Sequence, residues 1–224
     1  MDLKLIYVDT PFWRAEVPRI ALHHGSIPFK DERISRKDFL NARKSGVTER
    51  GYLLPFKQIP VLIVDNVSLS QTGAISRFCG KISGLYPSND DLAAARIDQV
   101  IDMATDITVL FSTYRKSSEN KLDLEDRKLF FDSYILPKLF LLENSLSLES
   151  NFLNGEGLTI ADITIWRVIG WLSSGLIEGF PTDFIHKLPT LQKICLKTEL
   201  SPVIIDWIEK TYPENYIRGH YGSL

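Results

Sequence analysis

Every strand-like run in this chain lies before Gln71, and from Asp90 onward the spacing is helical throughout. Leu3 to Val8 is a short run of strand formers closed by Asp9-Thr10-Pro11. Arg14 to Gly25 reads as a helix, with Val17, Ile20, Ala21 and His24 on one stripe, and Phe29 to Ile34 as a second strand. Ser35 to Leu54 is polar and carries no clear period. Phe56 to Ile75 then holds a loop ending in Ile59-Pro60, an apolar strand, a tight turn at Asp65-Asn66 and another short strand. A helix opens at Gln71-Thr72 and runs to about Cys79. Gly80 to Asn89 is rich in turn formers and reads as a connector. The change of pattern across it predicts two units, α/β followed by all-α.

In the helical part, Ile97, Ile101, Ala104, Thr108 and Phe111 follow one long helix. A second runs from about Leu124 to Leu148 and is expected to kink at Pro137. Thr159-Ile160-Ala161-Asp162 is a capping box with a shorter acid, opening a helix through Ile163, Trp166 and Ile169. Pro189 to Leu200 supplies another helix, and Ser201-Pro202 an N-cap with proline at the first helical position.

The chemistry of the Phe56–Ile75 segment suits a small anionic peptide. Proline ahead of a strand can be cis, and that geometry would turn the Ile59 N–H and C=O outward to pair with an extended ligand. A helix starting at Thr72 offers free N–H groups and a positive dipole end to a carboxylate. A net charge of −2 argues against a general nucleic-acid or membrane-surface binder, so anions must be held by local cations. Cys79 and Cys195 lie far apart without metal-ligand spacing and read as reduced, buried thiols of a cytoplasmic protein. The N-terminus enters a strand at once, and no stretch approaches transmembrane length. There is no Gly-rich phosphate loop, no His-Glu-x-x-His and no Gly-x-Ser-x-Gly. His23-His24 is a lone pair on a helix, so neither metal nor resident cofactor is expected.

With the helical half behind it, the segment resembles the glutathione-binding half of a cytosolic glutathione transferase. The element order β-α-β, connection, β-β-α is similar to a thioredoxin-like domain with a mixed four-stranded sheet. Lys4-Leu5-Ile6-Tyr7 followed by Arg14-Ala15-Glu16 looks most like the sigma class. The resemblance implies a thioredoxin-like glutathione-binding domain over 1–82 and an all-helical bundle over 90–224 that carries the hydrophobic substrate site. It implies a homodimer with glutathione as co-substrate and a hydrophobic electrophile as the second substrate. A non-catalytic relative that binds ligands or serves as a structural subunit is the alternative.

The resemblance also assigns roles. A thiol with a pKa near ~8.5 must become a thiolate at neutral pH. A hydroxyl donor aimed at the sulfur favours the anion by roughly 1.5–3 kcal/mol. Tyr7 is the expected catalytic donor, with Thr10 a lesser rival. Gln71 and Thr72 would hold the γ-glutamyl end, and Gln58, Ile59 and Pro60 the cysteinyl and glycyl portions. Arg43 would pair with the glycyl carboxylate, Arg14 would shape the site, and Asp106 would reach the ligand across a dimer. Asp106 can equally belong to a solvated acidic stripe with Asp98 and Asp102. Phe39 stands where sigma members often carry Trp and cannot donate. The Asp9–Trp13 loop is longer and bulkier than in related sequences, which places Phe12 and Trp13 beside the electrophile. Thr108, Phe111, Ser112 and Arg115 would complete the hydrophobic substrate set. The tail from Thr211 to Leu224 either folds over that site or lies on the surface. Asp162 is read as a folding residue.

Overall fold

Leu3–Val8 forms the central strand β1, with Leu5 and Ile6 fully buried. Lys30–Ile34 (β2) pairs with it in parallel, Val61–Val64 (β3) antiparallel on its other side, and Val67–Ser70 (β4) antiparallel beyond β3. The order β2-β1-β3-β4 is the mixed, thioredoxin-like sheet that the element order implied. A parallel pair needs a crossover, and Trp13–His24 (α1) supplies it. Val17, Ile20 and Ala21 are buried as the stripe requires, but His24 is exposed and Leu22 takes its place in the core.

The computed structural model describes residues 1–117, 123–148 and 157–222. The chain divides into Met1–Ser88 and Asn89–Leu224. In the first unit the polar stretch without a sequence period contains Arg36–Ser45 (α2), whose N-cap Ser35 accepts from the Asp38 N–H at 3.0 Å. A short loop follows, closed by a bridge between Val47 and Leu53. Thr72–Ser83 (α3) runs past its expected end at Cys79 and stops at Gly84, whose φ of +80° suits a residue without Cβ. The connector is correspondingly shorter than its turn formers suggested.

The second unit contains Asp91–Ser117 (α4), Leu124–Phe130 (α5), Leu136–Leu148 (α6), Ile160–Ser173 (α7), Pro189–Glu199 (α8) and Pro202–Thr211 (α9). The irregularity expected at Pro137 takes the form of a π-helical turn, Phe131–Ile135, directly before it. Proline has no N–H to return to the preceding turn, and a wider turn absorbs the mismatch. α7 is buried almost all round and packs against α4 and α8, as an apolar helix must. Its capping box is complete: the Thr159 N–H donates to Asp162 at 2.8 Å, and the Asp162 N–H donates to the Thr159 hydroxyl at 3.3 Å. Burial pushes the Asp162 carboxyl pKa up despite those bonds. Ser201, expected to cap α9, instead donates its hydroxyl back to the Lys197 carbonyl at 3.2 Å.

The tail lies on α7. Tyr221 donates to the Trp166 carbonyl at 2.9 Å, and the His220 N–H donates to Ser173 at 2.9 Å. Arg167, buried in α7, donates to the Arg218 carbonyl at 3.1 Å. A Cβ on Gly170 would meet the Tyr221 hydroxyl at 2.2 Å, so glycine is what lets the tail approach. Residues 223 and 224 of the expected tail lie outside the described residues.

Candidate functional site

The site follows from strand register. Ile6 faces Val61 across β1 and β3, and Val61 faces Ser70 across β3 and β4. One step outward on each strand stand Tyr7, Pro60 and Gln71. β2 ends at the same level, with Ile34 beside Val8. One edge of the sheet therefore collects Tyr7, Ile59-Pro60 and Gln71-Thr72. The N-termini of α1, α2 and α3 arrive there too, because each helix follows a strand that ends at that edge.

Tyr7 is 7% exposed, and burial raises its pKa from 10.0 to about 12, against the lowering pull of Arg14 and then Arg19. It is therefore a neutral hydroxyl at any physiological pH, able to donate and unable to act as an anionic base. Arg14, half-buried in the first turn of α1, is thus brought within electrostatic reach of Tyr7.

The Ile59–Pro60 peptide is cis, with Ile59 buried and Gln58 exposed. Gln71 has φ +75° and ψ 123°, a backbone conformation that side chains with a Cβ rarely adopt, and it precedes α3 without a side-chain cap. The first N–H groups of α3 are thereby left for an anion. Thr72 is 8% exposed in that turn. Beside them the Ser70 hydroxyl is buried without a hydrogen-bond partner among the described residues.

Other expected residues fall less neatly. Phe39 is half-buried on α2, while Arg43 is exposed in its last turn, two turns from the edge that holds Tyr7. There a cation complements the helix dipole, and the topology alone does not bring it to the ligand edge. Trp13 is 0% exposed at the start of α1, so its indole is core and cannot meet an incoming molecule; Phe12 before it is half-buried. Thr108 is 2% exposed, and its hydroxyl donates to the Ala104 carbonyl at 2.8 Å inside α4. The Phe111 ring packs edge-on against Trp171 and Phe180, with centroids 5.6 and 5.3 Å away. Thr108 therefore serves packing in the helical unit, while Phe111 is half-buried and keeps part of its surface accessible. Ser112 is half-buried and Arg115 exposed. Asp106 pairs with Lys138 of α6 at 3.5 Å on the surface.

Sequence reading passed over Arg19. It lies across α1 from the Val17–Ile20–Ala21 stripe, yet is 0% exposed, and donates to Glu16 at 2.8 Å, to Asp31 at 3.0 Å and to the Thr10 carbonyl at 3.3 Å. The opposite charges three residues apart, Glu16 and Arg19, were the available signal. Among the described residues no group of three or more His, Cys, Asp or Glu is placed to hold a metal, and no helix is long and apolar enough to cross a membrane.

Residues 3–80 match the family of glutathione S-transferase N-terminal domains, and residues 102–211 that of the C-terminal domains. Human hematopoietic prostaglandin D synthase is 24% identical over 199 residues, spanning 88% of this chain and 90% of that protein. A probable glutathione S-transferase of Caenorhabditis elegans is 28% identical over 215 residues, 94% of this chain and 97% of its own. The crystal structure of the glutathione S-transferase from Ascaris lumbricoides superposes with a TM-score of 0.73 at 25% identity, covering 95% and 98% of the two chains.

Proposed function

This chain belongs to the glutathione S-transferase family, and on that premise we propose that it joins reduced glutathione to hydrophobic electrophiles, with Tyr7 stabilising the thiolate. One observation carries the reading: the buried, neutral Tyr7 hydroxyl shares a sheet edge with cis Ile59-Pro60 and the uncapped start of α3.

An extended tripeptide laid along that edge meets complementary groups at its γ-glutamyl and cysteinyl parts. Its γ-glutamyl carboxylate takes the first N–H groups and the Thr72 hydroxyl, and Gln71 meets the adjoining amino-acid group. The cysteinyl unit pairs with the backbone at Ile59, beside Gln58 and Pro60. The sulfur then lies toward Tyr7, whose hydroxyl donates more strongly to S⁻ than to S–H. That preference, about 1.5–3 kcal/mol, lowers the thiol pKa by about one to two units. Arg14 adds a positive charge to the same neighbourhood. Arg43 and Phe39 are assigned to the glycyl end, and Asp106 to a ligand across a homodimer. Of the electrophile set, Phe12, Phe111, Ser112 and Arg115 each retain accessible surface and are assigned that role. We read the chain as a sigma-class transferase and a cytoplasmic homodimer. Similarity to a prostaglandin D synthase favours a second reading, in which the same thiolate serves a glutathione-dependent isomerisation.

The test is retention on immobilised glutathione together with turnover of an activated aryl halide, for wild type and Tyr7→Phe. Both proteins should be retained, and Tyr7→Phe should lose turnover about 10- to 100-fold. Retention of the wild type without turnover points to the binding-protein alternative. An undiminished Tyr7→Phe rate removes Tyr7 from its role and leaves the family untouched.

A further inference from the structure

Five groups close a ring around the connection that follows Tyr7. Arg33 donates from Nη1 to Asp9 at 2.7 Å and from Nε to Asp31 at 2.8 Å. Arg19 donates from Nε to the other Asp31 oxygen at 3.0 Å and from Nη1 to the Thr10 carbonyl at 3.3 Å. Thr10 follows Asp9 in the chain, so the ring is complete. Each oxygen of Asp31 carries one guanidinium. The backbone inside it makes a tight turn, with the Thr10 N–H donating to the Val8 carbonyl at 2.8 Å, and Pro11 has no donor to add.

The ring also flanks Tyr7. Arg33 is its direct partner across β1 and β2, and Arg19 acts on its hydroxyl electrostatically. The links run from solvent to core: the Asp9 side chain is 73% exposed, Arg33 33%, Asp31 23% and Arg19 0%. A buried ion pair such as Arg19–Glu16 is a weak source of stability compared with apolar packing. What such a pair does supply is a fixed geometry, and Arg19 carries it to the connection through Asp31 and the Thr10 carbonyl.

We propose that this ring is the positioning device of the site, with Asp31 as its hub and Arg19 and Arg33 as positioning residues that set the stance of the Tyr7 hydroxyl. The proposal rests on the transferase reading, because it concerns where that hydroxyl stands relative to a bound thiol. Arg33 bridges two carboxylates through two nitrogens, which a lysine ammonium on a single stem does not reproduce.

The experiment compares wild type with Asp31→Asn, Arg33→Gln, Arg33→Lys and Asp9→Asn. It reads kcat and KM for glutathione with an activated aryl halide, and amide hydrogen exchange in the peptide covering residues 8–14. Asp31→Asn should lower kcat about tenfold while KM moves less than about twofold, since misplacing a reacting group costs rate more than affinity. Exchange in that peptide should rise. Asp9→Asn should change both in the same direction by less, and Arg33→Lys should recover part of what Arg33→Gln loses. Unchanged kcat and exchange in variants that merely melt earlier overturn the proposal. Should Asp31→Asn fail to fold, Asp9→Asn at the exposed end of the ring still decides the question. A wild type that neither binds nor turns over glutathione sinks the transferase reading alone. The exchange data then still judge the ring: raised exchange supports it, and unaltered exchange overturns it.

Discussion

At the scale of single residues, the site is marked by groups that sit badly with folding on its own terms. Gln71 holds a positive φ that costs on the order of 1–3 kcal/mol. Replacing it by glycine should relieve strain and raise the denaturation midpoint slightly, while retention on glutathione weakens because the side chain is gone. Gln71→Ala should weaken retention without the gain in stability; equal midpoints for the two variants would contradict the strain argument. That Tyr7 and Gln71-Thr72 share one sheet edge was legible in the sequence, because the strands that carry them could be placed before the register was known. The burial of Trp13 and Thr108 was not. An aromatic or hydroxyl side chain looks the same on paper whether it lines a site or fills a core. Only packing tells that Trp13 is fully buried and that the Thr108 hydroxyl is spent on Ala104.

At the scale of elements, caps and breaks decided what could be read. The Thr159–Asp162 box announced α7, whereas α2 lacked an apolar period and showed only a Ser35 cap. α3 overran its predicted end because Gly80, which can stop a helix, is buried inside this one. One cap had no sequence signal at all. The Glu143 carboxylate of α6 accepts the Thr190 and Leu191 N–H groups at 2.8 and 2.9 Å, capping α8 from another helix. It stands in for the side-chain cap that Leu188 cannot provide. Glu143→Gln keeps the shape but loses the charge and one acceptor, and should cost about 1–3 kcal/mol in chemical denaturation. A change within about 0.5 kcal/mol would mean that water caps α8 equally well.

At the scale of the whole molecule, two kinds of buried proton donor tie stability to pH. Burial raises Tyr7 from 10.0 to about 12 and Cys79 from 9.0 to about 12. Both groups hold their protons more tightly folded than unfolded. Their contribution is therefore complete below the unfolded values and is lost as pH rises through the folded ones. The urea midpoint should fall between pH 9 and 12, and fall less steeply in Tyr7→Phe; a flat wild-type curve over that range would contradict the burial. The division into a sheet unit and a helical unit was legible because strand and helix periods differ, and the chain changes from one to the other once. The tail was not, because its hold on α7 depends on Gly170 and buried Arg167, residues far away in sequence that carry no periodic signal. The proposed activity depends on the Tyr7 hydroxyl stabilising a bound thiolate. The direct measurement is the ultraviolet thiolate absorbance of enzyme-bound glutathione as a function of pH, in wild type and Tyr7→Phe. Wild type should titrate about one to two units below the free thiol near ~8.5, and Tyr7→Phe close to the free value. Identical titrations in the two proteins would contradict the claim.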